Sequence, residues 1–168
     1  MYIVPGMKLI PQTLNMSCWY ASLQMLIKWK EEKKQVRYAN LISPEFDAQC
    51  VAIRDANGGI QNPQILKVAK SIGLKSVPPV SPTPEAIEDW LENYGPLWVN
   101  GKSHIVVIAG IMTLPFVGTM LLVYDPWPVN VGKVEWRSLD TWYVGNNVDS
   151  RDTGNDVEAV FLYVPDDL

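Results

Sequence analysis

Residues 11–21 have the sequence PQTLNMSCWYA, in which a cysteine stands near the start of a helical pattern. From Asn15 onward, apolar residues recur at helical spacing on one face, namely Trp19, Leu23, Leu26 and Ile27. Asn15 and Ser17 are both residue types that cap helices. Cys18 is therefore expected in the first turn, where free backbone N–H groups and the positive end of the helix dipole favour a thiolate. The segment predicts a reactive cysteine, although a free cysteine is more often a buried, space-filling residue.

Two more helices are predicted in the first half of the chain. One runs from the cap Asn62 to Gly73 and the other from the cap Thr83 to Gly95, each with proline at its first position. Their apolar residues at helical spacing are Ile65, Leu66, Ala69 and Ile72 in one, and Ile87, Trp90, Leu91 and Tyr94 in the other. The basic tail of the first helix is predicted to be a solvated face, made of Lys28, Lys30, Lys33, Lys34 and Arg37.

From Pro96 onward the pattern changes to short runs of strand-forming residues. Strands are predicted over residues 97–99, 104–111, 120–124, 134–136, 141–144 and 157–164. Helices followed by strands favour an α+β fold in which the helical part packs on an antiparallel sheet. Without an internal repeat or a long linker, residues 1–168 are expected to form one domain, with a helical lobe over about 11–95 and a sheet lobe over about 96–168.

Residues 105–124 carry no charged side chain over twenty positions, which is long enough for a membrane helix. The centre of this stretch is TLPFVGT, a turn-like sequence, and both flanks are short and rich in strand formers. Two buried strands joined by a turn are the better interpretation, so no membrane contact is expected.

The composition is that of a packed globular protein, with 48% hydrophobic and 19% charged residues. The net charge of −4 disfavours nucleic acid, whose phosphates select basic surfaces. Two cysteines and one histidine are too few for a closed zinc site, so no metal or cofactor is expected. Because the N-terminus lacks a signal-peptide pattern, the chain is expected to fold in the cytoplasm.

A cysteine nucleophile needs a base, and His104 is the one histidine of the chain. It begins an apolar strand, and the next predicted strand ends at Asp125, so hairpin pairing would place this carboxylate beside the imidazole. Taken singly, His104 is more simply a buried strand histidine and Asp125 a turn residue. Cys50 has neither a histidine nor an obvious helix start beside it, and we predict that it is structural.

Four short motifs together resemble the papain-like cysteine peptidases. Gln12 lies six positions before Cys18, which is followed by tryptophan; His104 leads an apolar strand that reaches glycine; and Asp125 begins the triplet DPW. The asparagine of the papain pattern is replaced here by Asp125, as in the peptidase C39-like branch and in compact bacterial effector proteases. The core MSCWYA at residues 16–21 is especially similar to the effector proteases.

The resemblance implies a role for each of these residues. Cys18 is the expected nucleophile, His104 the acid and base, and Asp125 the group that orients the imidazole. The Gln12 amide and the Cys18 backbone N–H are expected to form the oxyanion hole. The resemblance also suggests that Trp127 shields the contact between His104 and Asp125 from water.

The expected function is cleavage of peptide bonds in a protein or peptide substrate, without metal or cofactor. The resemblance suggests a bacterial effector or toxin that a secretion system delivers into another cell, with a cognate immunity protein as a partner if it is a toxin. One alternative keeps the same residues for glutamine deamidation, acyl transfer or cleavage of peptidoglycan peptides. Another is a binding module that grips a peptide without cutting it.

Overall fold

A computed structural model describes residues 1–34, 41–60, 62–77, 82–100, 104–142 and 160–165. The helices in these ranges are α1 (Cys18–Lys34), α2 (Ala48–Asp55), α3 (Asn62–Ile72) and α4 (Pro84–Tyr94), and a 3-10 turn covers Pro44–Phe46. The strands are β1 (Tyr2–Ile3), β2 (Lys75–Ser76), β3 (Leu97–Asn100), β4 (Ile105–Leu114), β5 (Gly118–Asp125), β6 (Lys133–Ser138) and β7 (Phe161–Tyr163). The α+β class predicted from the sequence is confirmed.

The strands form one antiparallel sheet in the order β2-β7-β3-β4-β5-β6, and β1 pairs with β4. The stretch at 105–124 is a β-hairpin, in which β4 and β5 pair from Val107 opposite Tyr124 to Leu114 opposite Gly118. This confirms two strands joined by a turn in place of a membrane helix. No helix within the described ranges combines the length and hydropathy that a membrane span requires.

The sheet is a middle layer because its two faces bury different side chains. On β3, Leu97 and Val99 belong to one apolar cluster and Trp98 belongs to the other, as strand alternation requires. Helix α4 packs in the cluster of Leu97 together with Trp29 of α1, whereas the other buried apolar residues of α1, and those of α3, pack in the cluster of Trp98. The helices thus cover both faces of the sheet.

Helix α1 begins at Cys18, three residues later than the pattern from Asn15 suggests. The Ser17 hydroxyl is paired with the backbone of Leu14, which tightens the turn before the helix. The prediction of a solvated basic tail is wrong at Lys30, which is 1% exposed. Its ammonium group lies 5.8 Å from the centroid of the Trp29 ring, where a cation–π interaction favours the charge. The side chain of Lys34 and all of Arg37 lie outside the described residues.

Both later helices are present: α4 keeps its predicted bounds, whereas α3 includes Asn62, which was predicted as its cap. The Thr83 hydroxyl accepts a hydrogen bond from the Ala86 N–H at 3.1 Å, and Gly95 ends the helix with a φ of 89°. In α3 the predicted inward residues are buried apart from Leu66, which is 54% exposed. Leu66 therefore lies at the edge of the apolar face, outside the stripe that contacts the core.

Helix α2 was not predicted, and it corrects the statement that Cys50 lacks a helix start. Asp47 caps α2 by accepting the Cys50 N–H at 2.9 Å, so Cys50 lies in the first turn. The thiol is nevertheless fully buried, and burial raises its pKa. Burial in an apolar cluster thus outweighs the helix terminus and keeps this sulfur protonated, in agreement with a structural role.

The strands from Leu97 to Asp125 differ from their predicted bounds by one to three residues at an end, and the later strands differ in kind or extent as follows. Lys133–Ser138 is longer than predicted, and the last strand is reduced to Phe161–Tyr163 within its described part. The strand predicted at 141–144 is wrong at Thr141 and Trp142, which form a turn closed by the Thr141 N–H on Ser138. Residues 143–144 and 157–159 lie outside the described residues.

Gly95 gives a test of the packing between α1 and α4. An added Cβ there would lie 2.7 Å from Trp29 Cζ3 and closer still to its Cη2, whereas a Cβ at Gly118 meets nothing within 4 Å. Both glycines have positive φ, of 89° and 101°. We expect Gly118→Ala to lower the free energy of unfolding by about 1–3 kcal/mol through backbone strain alone. Gly95→Ala should cost about 1–3 kcal/mol more through overpacking, as measured by urea unfolding; equal losses would contradict the packing.

Candidate active site

Cys18 is the first residue of α1 and is partly exposed. Its neighbour Trp19 is fully buried and anchors this end of the helix at two points. The indole N–H of Trp98 donates to the Trp19 carbonyl at 3.1 Å, and the Trp19 indole N–H donates to the Gly58 carbonyl at 3.3 Å. A sulfur atom is thereby held at the positive end of a fixed helix.

His104 and Asp125 meet at one edge of the sheet, because His104 directly precedes β4 and Asp125 ends the antiparallel strand β5. The distance between His104 Nε2 and Asp125 Oδ1 is 2.6 Å. His104 is 8% exposed and Asp125 is 1% exposed. Exclusion of water strengthens this hydrogen bond and fixes the orientation of the ring.

The other ring nitrogen of His104, Nδ1, is left for the Cys18 thiol. Burial by itself lowers the pKa of His104, but hydrogen bonds and charge interactions with Asp125 and Cys18 outweigh it and raise the pKa to about 9. An imidazole with this pKa is protonated near neutral pH. The ring can therefore act as a proton donor at neutral pH, which is the role that the base of a cysteine nucleophile takes toward a leaving group.

The Asp125 carboxylate accepts three hydrogen bonds. Oδ1 accepts the imidazole and the Trp127 backbone N–H at 2.9 Å, and Oδ2 accepts Arg137 Nη2 at 2.7 Å. Burial raises the pKa of Asp125, but the hydrogen bonds and charge of His104, with those of Trp127 and Arg137, lower it further and leave the net pKa below its ordinary value. Asp125 is thus a permanent anion at neutral pH.

Arg137 is a site residue that sequence reasoning missed. It lies on β6 and is 8% exposed, whereas the apolar Val134 on the same strand is 45% exposed. The alternation of Val134 and Trp136 would place Arg137 on the opposite, polar face of the strand. A cation two strands away from the histidine carries no motif of its own, and only the sheet register connects it with Asp125.

Gln12 connects the segment before Cys18 to the segment that follows Asp125 through backbone hydrogen bonds. Its N–H donates to the Pro126 carbonyl at 3.0 Å, and its carbonyl accepts the Asn130 N–H at 2.8 Å. Its side-chain amide nitrogen donates to the carbonyls of Leu14 at 2.8 Å and Asn15 at 3.0 Å. Both amide hydrogens are therefore engaged, and Oε1 is buried with no hydrogen-bond partner in the described part of the chain. To act on an oxyanion, the amide must exchange one of these carbonyls for the substrate oxygen.

The remaining candidates are Trp127, which belongs to this contact network, and Cys50, which lies apart from it. Trp127 is partly buried, and its backbone N–H donates a hydrogen bond to the Asp125 carboxylate. This carboxylate is part of the contact with His104 that the resemblance expects Trp127 to shield. Cys50 is buried in the apolar cluster of α1 and α3. Among the described residues, no three His, Cys, Asp or Glu side chains are grouped so as to hold a metal ion.

The lowered pKa of Asp125 predicts how acid affects stability. A carboxyl whose folded pKa lies below its unfolded value stabilises the fold above about pH 4, and this contribution is lost as the pH falls toward the folded pKa. We expect the wild type to lose up to about 1.4 kcal/mol per pH unit more than Asp125→Asn in this range, measured by urea unfolding. The exposed Asp55→Asn is the control; a wild-type slope equal to that of Asp125→Asn would contradict the assignment.

Comparison with solved structures shows a related fold. The crystal structure of UfSP from C. elegans superposes with a TM-score of 0.58 at 14% sequence identity, over 99% of this chain. The chain covers 34% of that protein, about a third of its length, and at this identity the likeness shows the fold alone. No curated protein sequence matches the chain.

A family model provides the closer relationship. The model described as papain-like cysteine protease AvrRpt2 matches residues 4–144, which is more than half of the chain. The matched range contains Gln12, Cys18, His104, Asp125 and Arg137. The chain belongs to the AvrRpt2 family of papain-like cysteine proteases.

Proposed function

We propose that the chain is a cysteine peptidase that cleaves peptide bonds in a protein substrate through Cys18, His104 and Asp125. Family membership and the papain-like fold support peptidase activity. The single observation that carries the assignment is the buried contact of 2.6 Å between His104 Nε2 and Asp125 Oδ1, beside a cysteine at a helix N-terminus. The arrangement of these groups supports thiolate chemistry at this site.

In the proposed acylation step, the Cys18 thiolate attacks the carbonyl carbon of the scissile peptide bond. The His104 imidazolium gives its proton to the leaving nitrogen, the C–N bond breaks, and an amine and a thioester result. Asp125 keeps the hydrogen of Nε2 on its own side of the ring, so the labile proton is the one on Nδ1. The sheet edge thus selects the tautomer before substrate binds.

In the proposed deacylation step, the neutral imidazole takes a proton from water as the water attacks the thioester carbon. The C–S bond then breaks, which releases the acid product and restores the thiolate and imidazolium pair. Both steps pass through a tetrahedral oxyanion. The proposed donors to this oxygen are the Cys18 backbone N–H, which points out of the helix N-terminus, and the Gln12 amide.

We also propose that residues 1–168 form one domain and act as a bacterial effector or toxin. The one-domain proposal is supported by the sheet, because β1 at residues 2–3 and β7 at residues 161–163 belong to the same layer. The effector role rests on the similarity of residues 16–21 to effector proteases. Delivery by a secretion system, and a cognate immunity protein if the role is that of a toxin, belong to this proposal.

The first test is cleavage of a proteome-derived peptide library, with new N-termini identified by mass spectrometry. Cys18→Ala should lower cleavage by at least about 10³-fold, because the nucleophile acts as a unit with its base. Cys50→Ala is the matched control and should keep the wild-type cleavage pattern, provided that it remains folded. Equal cleavage by wild type and Cys18→Ala would refute the proposal. A mass gain of about one dalton on glutamine, without chain cleavage, would identify a deamidase.

The second test concerns the oxyanion hole. Gln12→Ala should lower kcat by about 10²–10³-fold with little change in KM, because an oxyanion donor acts in the transition state. Gln24→Ala removes a glutamine from the same region of the chain and should leave kcat unchanged. A Gln12→Ala variant that changes KM alone, at unchanged melting temperature, would remove Gln12 from the oxyanion hole.

A further inference from the structure

The guanidinium group of Arg137 makes three hydrogen bonds beside the candidate site, each through a different nitrogen. Its Nη2 donates to Asp125 Oδ2 at 2.7 Å, its Nη1 donates to the Trp142 carbonyl at 3.0 Å, and its Nε donates to Glu135 Oε1 at 2.8 Å. The side chain is 8% exposed. Three anchors on one planar group fix both its position and its orientation, which a single contact does not achieve.

The sheet register shows that this contact requires a long side chain. Opposite residues are Leu121 with Arg137 and Asp125 with Lys133, so Arg137 starts four residues from the level of Asp125. This offset corresponds to about 13 Å along a strand, and even spacing places both side chains on the same face. The guanidinium reaches back along that face, a distance that a short side chain could not span.

Arg137 balances the formal charges of the proposed catalytic groups. The thiolate of Cys18, the imidazolium of His104, the Asp125 carboxylate and the Arg137 guanidinium sum to zero. Without Arg137 the set would carry one net negative charge in a buried site, which is costly. Glu135 also contacts Arg137, but its side chain is 46% exposed and water screens its charge.

We propose that Arg137 is a positioning residue, which acts on His104 through Asp125 by holding the second carboxylate oxygen and offsetting the carboxylate charge. This inference rests on the proposed function of His104 and Asp125. A cation near the imidazolium opposes its protonation, so Arg137 keeps the proton available for the leaving nitrogen. Asp125 alone would orient the ring but would bind the imidazolium more tightly.

A purely structural Arg137 would clamp Trp142 onto β6 and would not affect the titration of the imidazole. The two roles can be separated because the chain has one histidine, whose ring protons give an unambiguous NMR titration. The groups that act directly on His104 are Asp125 and Cys18. We therefore place the measurement in a Cys18→Ala background, which removes the thiol as a coupled group.

In this background, Arg137→Met should raise the titration midpoint of His104 by about one pH unit, because an opposing positive charge is removed. Arg137→Lys, which keeps the charge, should shift the midpoint by less than half as much. Arg54→Met is the control, since Arg54 pairs with Asp55 and Tyr20 at another place in the fold, and it should leave the midpoint unchanged. A midpoint that stays constant or falls in Arg137→Met would overturn the proposal.

A second arm measures stability and does not depend on a substrate. Asp125→Asn leaves Arg137 buried without its anionic partner, so adding Arg137→Met to Asp125→Asn should raise the melting temperature by about 3 °C or more. A double variant that melts below Asp125→Asn would show that the arginine and the carboxylate do not act as a pair, and would overturn the proposal. Both arms keep their meaning if no cleavage activity is found, so failure of this inference and failure of the proposed function can be distinguished.

In the variant that keeps Cys18, Arg137→Met should lower kcat for cleavage of the peptide library about tenfold, with little change in KM. The alkaline limb of its pH profile should move upward together with the NMR midpoint. An unchanged kcat at a raised midpoint would contradict the catalytic part of the inference while leaving the charge pairing intact.

Discussion

The antiparallel pairing of β4 with β5 is the constraint on which the candidate site depends. His104 and Asp125 are 21 positions apart, yet a strand that begins at one sheet edge and a partner that ends there bring their side chains to 2.6 Å. The turn of the hairpin lies at the opposite end, so loop sequence there does not alter this distance. Backbone hydrogen bonds between the strands thus define the geometry of the imidazole and the carboxylate before any side-chain interaction is counted.

The cysteine reaches this edge by a different route, because Cys18 lies 86 positions before His104 and shares no strand with it. Its helix is fixed by packing: Trp19 is fully buried, and its carbonyl accepts the Trp98 indole N–H from the adjacent strand β3. Displacement of Trp19 would expose a large apolar ring and leave a buried donor unpaired. The packing of Trp19 therefore positions the Cys18 sulfur, whereas the pairing of β4 with β5 positions the His104 imidazole.

Local sequence signals predicted the elements that have local causes. The cap at Thr83 and the stop at Gly95 located α4, and the charge-free stretch at 105–124 predicted the central hairpin, because capping, backbone conformation and strand propensity act within a few residues. Helix α2 escaped prediction because it has only eight residues and its capping Asp47 lies outside a clear periodic pattern. The insertion of β7 between β2 and β3 is a long-range pairing that no local signal encodes.

The same distinction applies to the site. Cys18, His104 and Asp125 could be proposed from the sequence because their residue types and order resemble a known pattern, but Arg137 could not. The burial of Arg137 is opposite to what the apolar alternation of β6 predicts. An ion pair with the Asp125 carboxylate, which is itself 1% exposed, compensates for this burial. A buried anion requires a counter-charge wherever the imidazole is neutral. A search for a charged residue on the buried face of a strand next to an essential carboxylate would therefore be the most direct way to find such partners once a register is known.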